Sequence, residues 1–261
     1  MAKITQTWSI ICKVRDSFSS LLPLFFSCGL VLLVARFLAP DTIMGVSSSS
    51  SSNIAMVAAL KKNNILTSTV AAEAMKQIDR ADFVLPDTPA YVDSPQPIGH
   101  GATISAPHMH GYCLSLLSDY LKPGSAVLDV GSGSGYLTAV FALMVGENGR
   151  AVGVEHIPEL VERSIQSIKK GNAAHLLETG RLSVHASDGK LGYPDAAPYD
   201  AIHVGAAAAV VPDALVSQLK PGGRMVIPVG QFMQDLIVID KKSDGSLKQH
   251  SEMGVRYVPL V

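Results

Sequence analysis

Residues 127–137 read VLDVGSGSGYL, an apolar run that passes through one aspartate into alternating glycine and serine. The apolar run is typical of a buried strand, and the apolar residues from Tyr136 onward are typical of a helix. Glycines between them permit positive φ angles and leave the main chain open to a ligand. The stretch therefore predicts a strand, a ligand-binding loop and a helix.

On both sides of this unit, short β-branched runs alternate with amphipathic stretches. Strands are predicted over 125–130, 150–155, 181–186, 199–204, 224–229, 235–240 and 255–260, and helices over 136–146, 158–170 and 212–220. This alternation predicts an α/β fold with a doubly wound, mostly parallel sheet covered on both faces. Ligands of such sheets bind beyond the carboxyl ends of the strands, where the strand order reverses.

The residues upstream predict helices and one long connection. Residues 53–64 and 68–79 are alanine-rich and favour helices, with serine and threonine available as N-caps. Residues 82–101 are rich in proline and glycine, which predicts an extended connection without its own elements. A helix follows, with Pro107 in its first turn and Ser105 at or just before its N-cap.

Three acidic residues close successive strands and restrict the ligand of the glycine loop. Asp129 ends the first strand, where its charge would repel a pyrophosphate and suits a cation. Glu155 ends the next strand, about 20 residues after Gly135, where a carboxylate can accept both ribose hydroxyls. Asp188 can reach an adenine edge, although aspartate before glycine is also typical of a turn. A positively charged nucleoside without phosphate indicates S-adenosylmethionine.

A second stretch, PQPIGHGATISAPHMHGYC at 95–113, combines three histidines with a serine. His108 and His110 lie roughly 200° apart around a helix, so they cannot bind one metal ion. No G-x-S-x-G elbow follows any strand, which argues against a serine hydrolase. Ser105, unless it merely caps the helix, lies beside exposed helix amides and predicts an anion site.

An anionic acceptor changes what the site has to do. A carboxylate is already ionised at neutral pH and needs no general base. The predicted task is to align its oxygen with a methyl carbon and to strip water from it.

Composition excludes some classes of function. The chain has 261 residues, a formal net charge of −1 and no long basic run, which argues against a nucleic-acid partner. Of its three cysteines only Cys113 lies beyond residue 30, so an internal disulfide in the globular part is excluded and a reducing compartment is indicated.

The first residues read differently from the rest. We predict a leader over 1–46, a serine-rich linker over 47–52 and the folded domain over 53–261. Residues 20–35 are apolar and near the minimum length of a membrane span, and they also resemble a signal peptide without its cleavage pattern. Alternatively, Met44 starts the chain, since MGVSSS matches a myristoylation pattern. The predicted location is cytoplasmic, with organelle or endomembrane targeting by residues 1–46 as the alternative.

Several separated motifs resemble the protein-L-isoaspartate O-methyltransferase family, in the same order. They are DSPQPIGHGATISAPHMHGY, VLDVGSGSGYLTA, DAIHVGAAA, LKPGGRMVIPVG and MGVRYVPL. The resemblance runs from about Asn53 to the last residue. It implies a Rossmann-like class I methyltransferase fold and methyl transfer from S-adenosylmethionine to the α-carboxylate of L-isoaspartyl residues in damaged proteins. The ester then closes to a succinimide, which hydrolyses partly to aspartate and so begins repair.

The resemblance also implies the site residues. Ser105 is the implied active-site residue, and residues 255–260 are similar to the segment that borders the peptide groove. The implied cofactor-binding residues are Ala102, Thr103, Ile104, Ser105, His110, Asp129, Gly131, Gly133, Ser134, Glu155, His156, Asp188 and Gly189. Family members usually continue for several residues past YVPL, and this chain ends sooner.

The implied partners are isoaspartyl proteins and peptides, with no metal, no nucleic acid, membrane contact only through the leader, and a monomeric state. Two alternatives remain at this point. A methyltransferase for another small or nucleic-acid acceptor predicts an amine-directed motif where this chain has HVGAAA. A catalytically silent, cofactor-binding adaptor predicts binding without turnover.

Overall fold

The computed structural model describes residues 51–261; the predicted leader and residues 47–50 of the linker lie outside the described residues. The helices are α1 (Asn53–Lys62), α2 (Thr69–Gln77), α3 (Pro107–Leu117), α4 (Tyr136–Val145), α5 (Pro158–Ile168), α6 (Ala174–Glu178) and α7 (Asp213–Gln218). The strands are β1 (Gln96–Gly99), β2 (Ala102–Ile104), β3 (Ala126–Val130), β4 (Arg150–Glu155), β5 (Leu182–Ala186), β6 (Tyr199–Val204), β7 (Leu219–Val229), β8 (Gln234–Lys241) and β9 (Leu247–Val255).

The main sheet has seven strands in the order β5-β4-β3-β6-β7-β8-β9. Strands β5, β4, β3, β6 and β7 run parallel, and β8 and β9 continue the sheet antiparallel. The chain adds β4 and β5 on one side of β3 and then returns to its other side with β6. The predicted doubly wound, mostly parallel sheet is confirmed, and its order reverses between β3 and β6.

Alternate residues of the strands enter two apolar layers, as the period of two requires. Val127 and Ala201 pack with helices α1 to α6 on one face. Leu128 and Ile202 pack on the other face, where Leu215 of α7 covers the sheet. Both faces are therefore covered, but unequally.

Asn53, the first residue of α1, joins the two leading helices to the chain that follows them. The side-chain amide of Asn53 donates to the carbonyls of Met75 and Ile78, at 2.8 and 3.1 Å. The hydroxyl of Ser52 caps α1 by accepting the Ala55 N–H. Among residues 51–261, none of the helices combines the length and the apolar character that a bilayer crossing requires.

Three elements differ from the sequence expectation. The connection over 82–101 contains β1, which pairs with β2 in a small hairpin. Helix α6 lies in a stretch where no helix was predicted. The last strand was predicted over 255–260, but β9 ends at Val255, because its register is set by pairing with β8 through the turn at Asp244 and Gly245. After Val255 the backbone forms one isolated β-bridge, between Pro259 and Ala207, and no further strand.

Candidate active site

The point where the strand order reverses holds a buried aspartate and a buried histidine side by side. Asp129 of β3 and His203 of β6 are direct neighbours in the strand register. One carboxylate oxygen of Asp129 lies 2.8 Å from His203 Nδ1, and the other accepts the Thr138 hydroxyl at 2.5 Å. Both oxygens of Asp129 are thus engaged by side chains of the protein, which place its charge next to a histidine.

His203 is held in its charged form. Burial by itself lowers the pKa of His203, but the hydrogen bond with Asp129 and the nearby Cys113 thiol raise it to about 10. An imidazole that is already protonated at neutral pH cannot accept a proton. His203 therefore offers this end of the sheet a charge that balances Asp129, and not a general base.

The glycine loop turns sharply around Glu155. Gly131, Gly133 and Gly135 have φ angles of 69°, 51° and 80°, in the region that favours glycine. Glu155 is buried at the end of β4, and its carboxylate accepts the Gly133 N–H at 3.0 Å and the Ile157 N–H at 3.1 Å. The adjacent His156 is exposed, with Nδ1 2.9 Å from the same carboxylate.

The remaining cofactor residues near the loop have local partners. The Ser134 hydroxyl accepts the Tyr136 N–H at 3.3 Å. Asp188 is exposed and accepts the Lys190 N–H at 2.8 Å, so it does form the turn that was the alternative reading of this aspartate. A Cβ on Gly189 would lie 2.8 Å from a methyl group of Val130, so the turn packs directly against the end of β3.

Ser105 follows β2, and the structure corrects two expectations about it. Helix α3 begins after Ala106 without any side-chain cap, so Ser105 does not cap it. The amides at this helix end are not available to an anion: His108 N–H donates to Asp93 at 2.9 Å, and Met109 N–H donates to the Ala106 carbonyl. The prediction of exposed amides is wrong, because the long connection brings Asp93 to the helix end and Pro107 has no N–H.

The C-terminal segment lies against Ser105. The hydroxyl of Tyr257 is beside the hydroxyl of Ser105 and the thiol of Cys113; burial and the neighbouring thiol raise the pKa of Tyr257 well above its usual value. The side chain of Gln234 holds Tyr257 by accepting its N–H at 2.6 Å and donating to its carbonyl at 3.1 Å. Tyr257 is thus a neutral hydroxyl donor beside Ser105.

Two of the three histidines in the stretch 95–113 have side-chain partners, and these partners differ. His108 Nδ1 lies 2.8 Å from Asp93, and the buried His110 has its Nδ1 3.4 Å from Nη1 of Arg80. Within residues 51–261, no three histidine, cysteine or acidic side chains come together in a way that could hold a metal ion.

A sequence model of the family described as protein-L-isoaspartate(D-aspartate) O-methyltransferase matches residues 51–261. The chain belongs to this family.

Similar proteins carry the same description. A wheat (Triticum aestivum) protein-L-isoaspartate O-methyltransferase is 61% identical over 208 residues, covering 80% of this chain and 90% of the wheat protein. The Caenorhabditis elegans enzyme is 48% identical over 219 residues, covering 83% and 96%. A crystal structure from Plasmodium falciparum, a protein-L-isoaspartate O-methyltransferase in complex with S-adenosyl-L-homocysteine, has a TM-score of 0.75 at 33% identity and covers 81% and 99%.

The loop of this protein-L-isoaspartate O-methyltransferase family member fits S-adenosylmethionine, the methyl donor of the family. The glycines provide a backbone with no Cβ, and one on Gly133 would lie 3.3 Å from a methyl group of Ile98. The carboxylate of Glu155 lies against this loop, and Asp188 and Gly189 border the same end of the sheet. His110 lies near the loop, with its ring centre 5.2 Å from that of Tyr136, and Arg80 contacts both His110 and the Ser105 carbonyl. Ala102–Ile104 pair with β1, whose Ile98 approaches Gly133.

Sequence reasoning gave no role to Arg80, His203 or Gln234, and it included Tyr257 only within the segment 255–260 that is similar to the border of the peptide groove. His203 could have been found, since it ends a strand at the predicted reversal point. A single arginine between Asp79 and Asp82 was a weaker signal. Gln234 and Tyr257 meet across 23 positions of the chain, and no local pattern marks either.

Proposed function

We propose that this chain is a protein-L-isoaspartate O-methyltransferase that methylates the α-carboxylate of L-isoaspartyl residues in damaged proteins. One observation carries the proposal beyond the family relationship. The hydroxyl of Tyr257 lies beside that of Ser105, and two neutral donors suit an acceptor oxygen that arrives already charged.

The residues around that oxygen hold and orient it. When bound, S-adenosylmethionine supplies a methyl group on a sulfonium, so the new C–O bond forms as the C–S bond breaks and the sulfur leaves as a neutral thioether. Ser105 and Tyr257 would direct the carboxylate oxygen, and Glu155 with the glycine loop would hold the nucleoside part of the donor. No proton has to be removed from the acceptor, which agrees with the protonated state of His203.

The test compares two peptides that differ at one residue. Purified protein, a methyl-labelled donor and matched peptides with L-isoaspartate or L-aspartate at the same position should give base-labile label only on the isoaspartyl peptide. Equal labelling of both peptides would overturn the substrate, and binding of S-adenosylhomocysteine without turnover would instead support the silent adaptor.

We further propose that the enzyme acts as a cytoplasmic monomer without a nucleic-acid partner, touching membranes only through residues 1–46 if these are retained. Support comes from the net charge of −1 and from the cytosolic source of the donor. Light scattering of the purified chain would test the monomer. The N-terminal residue of the protein isolated from its native source would decide whether the leader is kept.

A further inference from the structure

Arg80 is fully buried behind the active-site serine, at 0% exposure. Its guanidinium makes three hydrogen bonds. Nε donates to the Ala90 carbonyl at 2.8 Å, Nη2 donates to the Ser105 carbonyl at 2.8 Å, and Nη1 lies 3.4 Å from His110 Nδ1. It also lies 5.7 Å from the ring centre of Tyr136. None of these groups carries a negative charge.

The charge of Arg80 has no acidic partner among residues 51–261. The carboxylate of Asp93 raises the pKa of Arg80 from a distance, but Asp93 is hydrogen-bonded to His108. The other buried cation of the site, His203, is already balanced by Asp129. Burial lowers the pKa of Arg80 to about 10, so it still carries its charge at neutral pH. Arginine is rarely buried without a counter-ion, because the uncompensated charge is costly.

Arg80 also decides which nitrogen of His110 carries the proton. A guanidinium can only donate, so the Nδ1 that faces Arg80 must accept. Burial, and then the charges of Arg80 and His203, lower the pKa of His110 well below its usual value, so the ring stays neutral with its proton on Nε2. That Nε2–H has no partner within the described part of the chain and is left for a ligand.

We propose that Arg80 is a positioning residue of the site: it supplies a buried positive charge behind Ser105 and fixes Nε2–H of His110 as the donor to a carboxylate. These groups would bind the anion in place of the amides of α3, which already donate to Asp93 and to the Ala106 carbonyl. Arg80 acts through His110 and Ser105, so it is a positioning residue. The inference rests on the proposed function, which gives two sources of carboxylate: the amino-acid end of the methyl donor and the isoaspartyl residue.

Calorimetry and kinetics on full-length variants distinguish the two sources. If the donor's carboxylate is bound, Arg80→Gln should weaken S-adenosylhomocysteine about tenfold and leave 5′-methylthioadenosine, which lacks the amino-acid end, unchanged. If the isoaspartyl carboxylate is bound, KM for the peptide should rise about tenfold while S-adenosylhomocysteine binding stays the same. Arg80→Lys keeps the charge and should recover part of the loss.

Arg224→Gln is the matched control. Arg224 is half-buried, donates to the Leu116 carbonyl of α3 as Arg80 donates to Ser105, but is paired with Asp240 at 2.6 Å. Arg224→Gln should leave unchanged the affinities for S-adenosylhomocysteine and 5′-methylthioadenosine and the KM for the peptide. A folded Arg80→Gln protein with unchanged affinities for both compounds and an unchanged peptide KM would overturn the proposal.

Nitrogen-15 NMR of His110 gives a readout that does not depend on turnover. The wild-type ring should show a protonated Nε2 and an unprotonated Nδ1, and a protonated Nδ1 would contradict the proposal. Should Arg80→Gln fail to fold, His110→Asn, which has no atom at the Nε2 position, should weaken carboxylate binding more than His110→Gln, and equal losses would count against the site. A wild-type protein that methylates no isoaspartyl peptide would refute the proposed function, while the NMR result would still test Arg80.

Discussion

Glu155 is a buried acid that holds the fold at the proposed cofactor loop. Its two oxygens accept N–H groups from the glycine loop and from the start of α5, so the acid shapes the loop before any ribose is present. The sequence predicted the ribose role from spacing alone. The backbone role could not be predicted, because it depends on how β4 and the loop after β3 meet.

Glu155→Gln tests that double role. One end of the new amide must turn a donor toward a backbone N–H, which leaves a buried donor unmatched at a cost of about 1–3 kcal/mol. We expect the free energy of unfolding to fall by that amount and S-adenosylhomocysteine to bind at least about tenfold more weakly. Glu159→Gln, at an exposed acid of α5, is the control. Unchanged affinity in Glu155→Gln would remove Glu155 from the cofactor site.

The Asp129–His203 pair predicts a pH dependence of stability. The folded-state pKa of His203 is raised from 6.5 to about 10, so its contribution is fully present below pH 6.5 and is lost as pH rises through about 10. Asp129 and Cys113 raise the pKa of His203, and the other groups that face the pair are the neutral ring of His110 on α3 and the charged guanidinium of Arg80.

Urea unfolding of wild type and His203→Gln across this range gives the measurement. The difference in unfolding free energy should be largest near pH 6 and should shrink steadily towards pH 10. A difference that grows with pH would mean that His203 is neutral in the folded protein.

At the scale of elements, the contact between the glycine loop and α5 can be separated from backbone strain. Gly135 has a φ of 80°, and a Cβ there would lie 2.8 Å from the Cβ of Ser164. Gly124 has a φ of 91° but open space around it. Gly124→Ala should cost about 1–2 kcal/mol of stability from strain alone.

Gly135→Ala should cost about 1–3 kcal/mol more than Gly124→Ala, because the methyl group also pushes α5 from the loop. Thermal or urea unfolding of the two variants measures the difference. Equal losses would show that α5 yields to the methyl group without cost.

The Gln234 side chain joins β8 to the C-terminal segment, and Gln234→Ala tests the link. We expect a roughly tenfold lower kcat/KM for the isoaspartyl peptide, because the backbone of Tyr257 loses both of its hydrogen bonds to the Gln234 side chain. Faster proteolysis after residue 255 should accompany it. Gln249→Ala, on an exposed part of β9, is the control. Full activity in Gln234→Ala would show that Tyr257 is held by other contacts.

The elements divide into those that sequence pattern could predict and those it could not. The strands and helices around 127–137 were predictable because buried parallel strands and amphipathic helices differ in period. The hairpin of β1 and β2 was not, since it forms in a stretch whose prolines and glycines suggest only turns. The end of β9 was misplaced because VRYVPL has the composition of a strand, whereas its pairing is set by β8.

At the scale of the molecule, residues 51–261 should suffice for the activity. Ser52 caps α1 and Asn53 ties it to the end of α2, so the folded part secures its own first helix. A chain that begins at Ser51 should match the full chain in melting temperature and kcat/KM within about twofold. A large loss in either quantity would assign the leader a part in the fold.

Most of the architecture was predictable, and the least predictable part was the electrostatics of the site. Fold, cofactor loop and acidic strand ends follow from local pattern. Arg80 precedes Ser105 by 25 positions, and Tyr257 follows it near the end of the sequence. Only folding brings the guanidinium and the phenol hydroxyl to Ser105.

The position of Cys113 carries a consequence for the working life of the enzyme. Cys113 is 1% exposed, and its thiol neighbours both His203 and the Tyr257 hydroxyl. Electrophiles and peroxides can reach this sulfur only when the residues packed around it open locally. We therefore expect oxidation or alkylation of Cys113 to inactivate the enzyme most readily when no substrate is bound. Bound isoaspartyl protein should slow this inactivation.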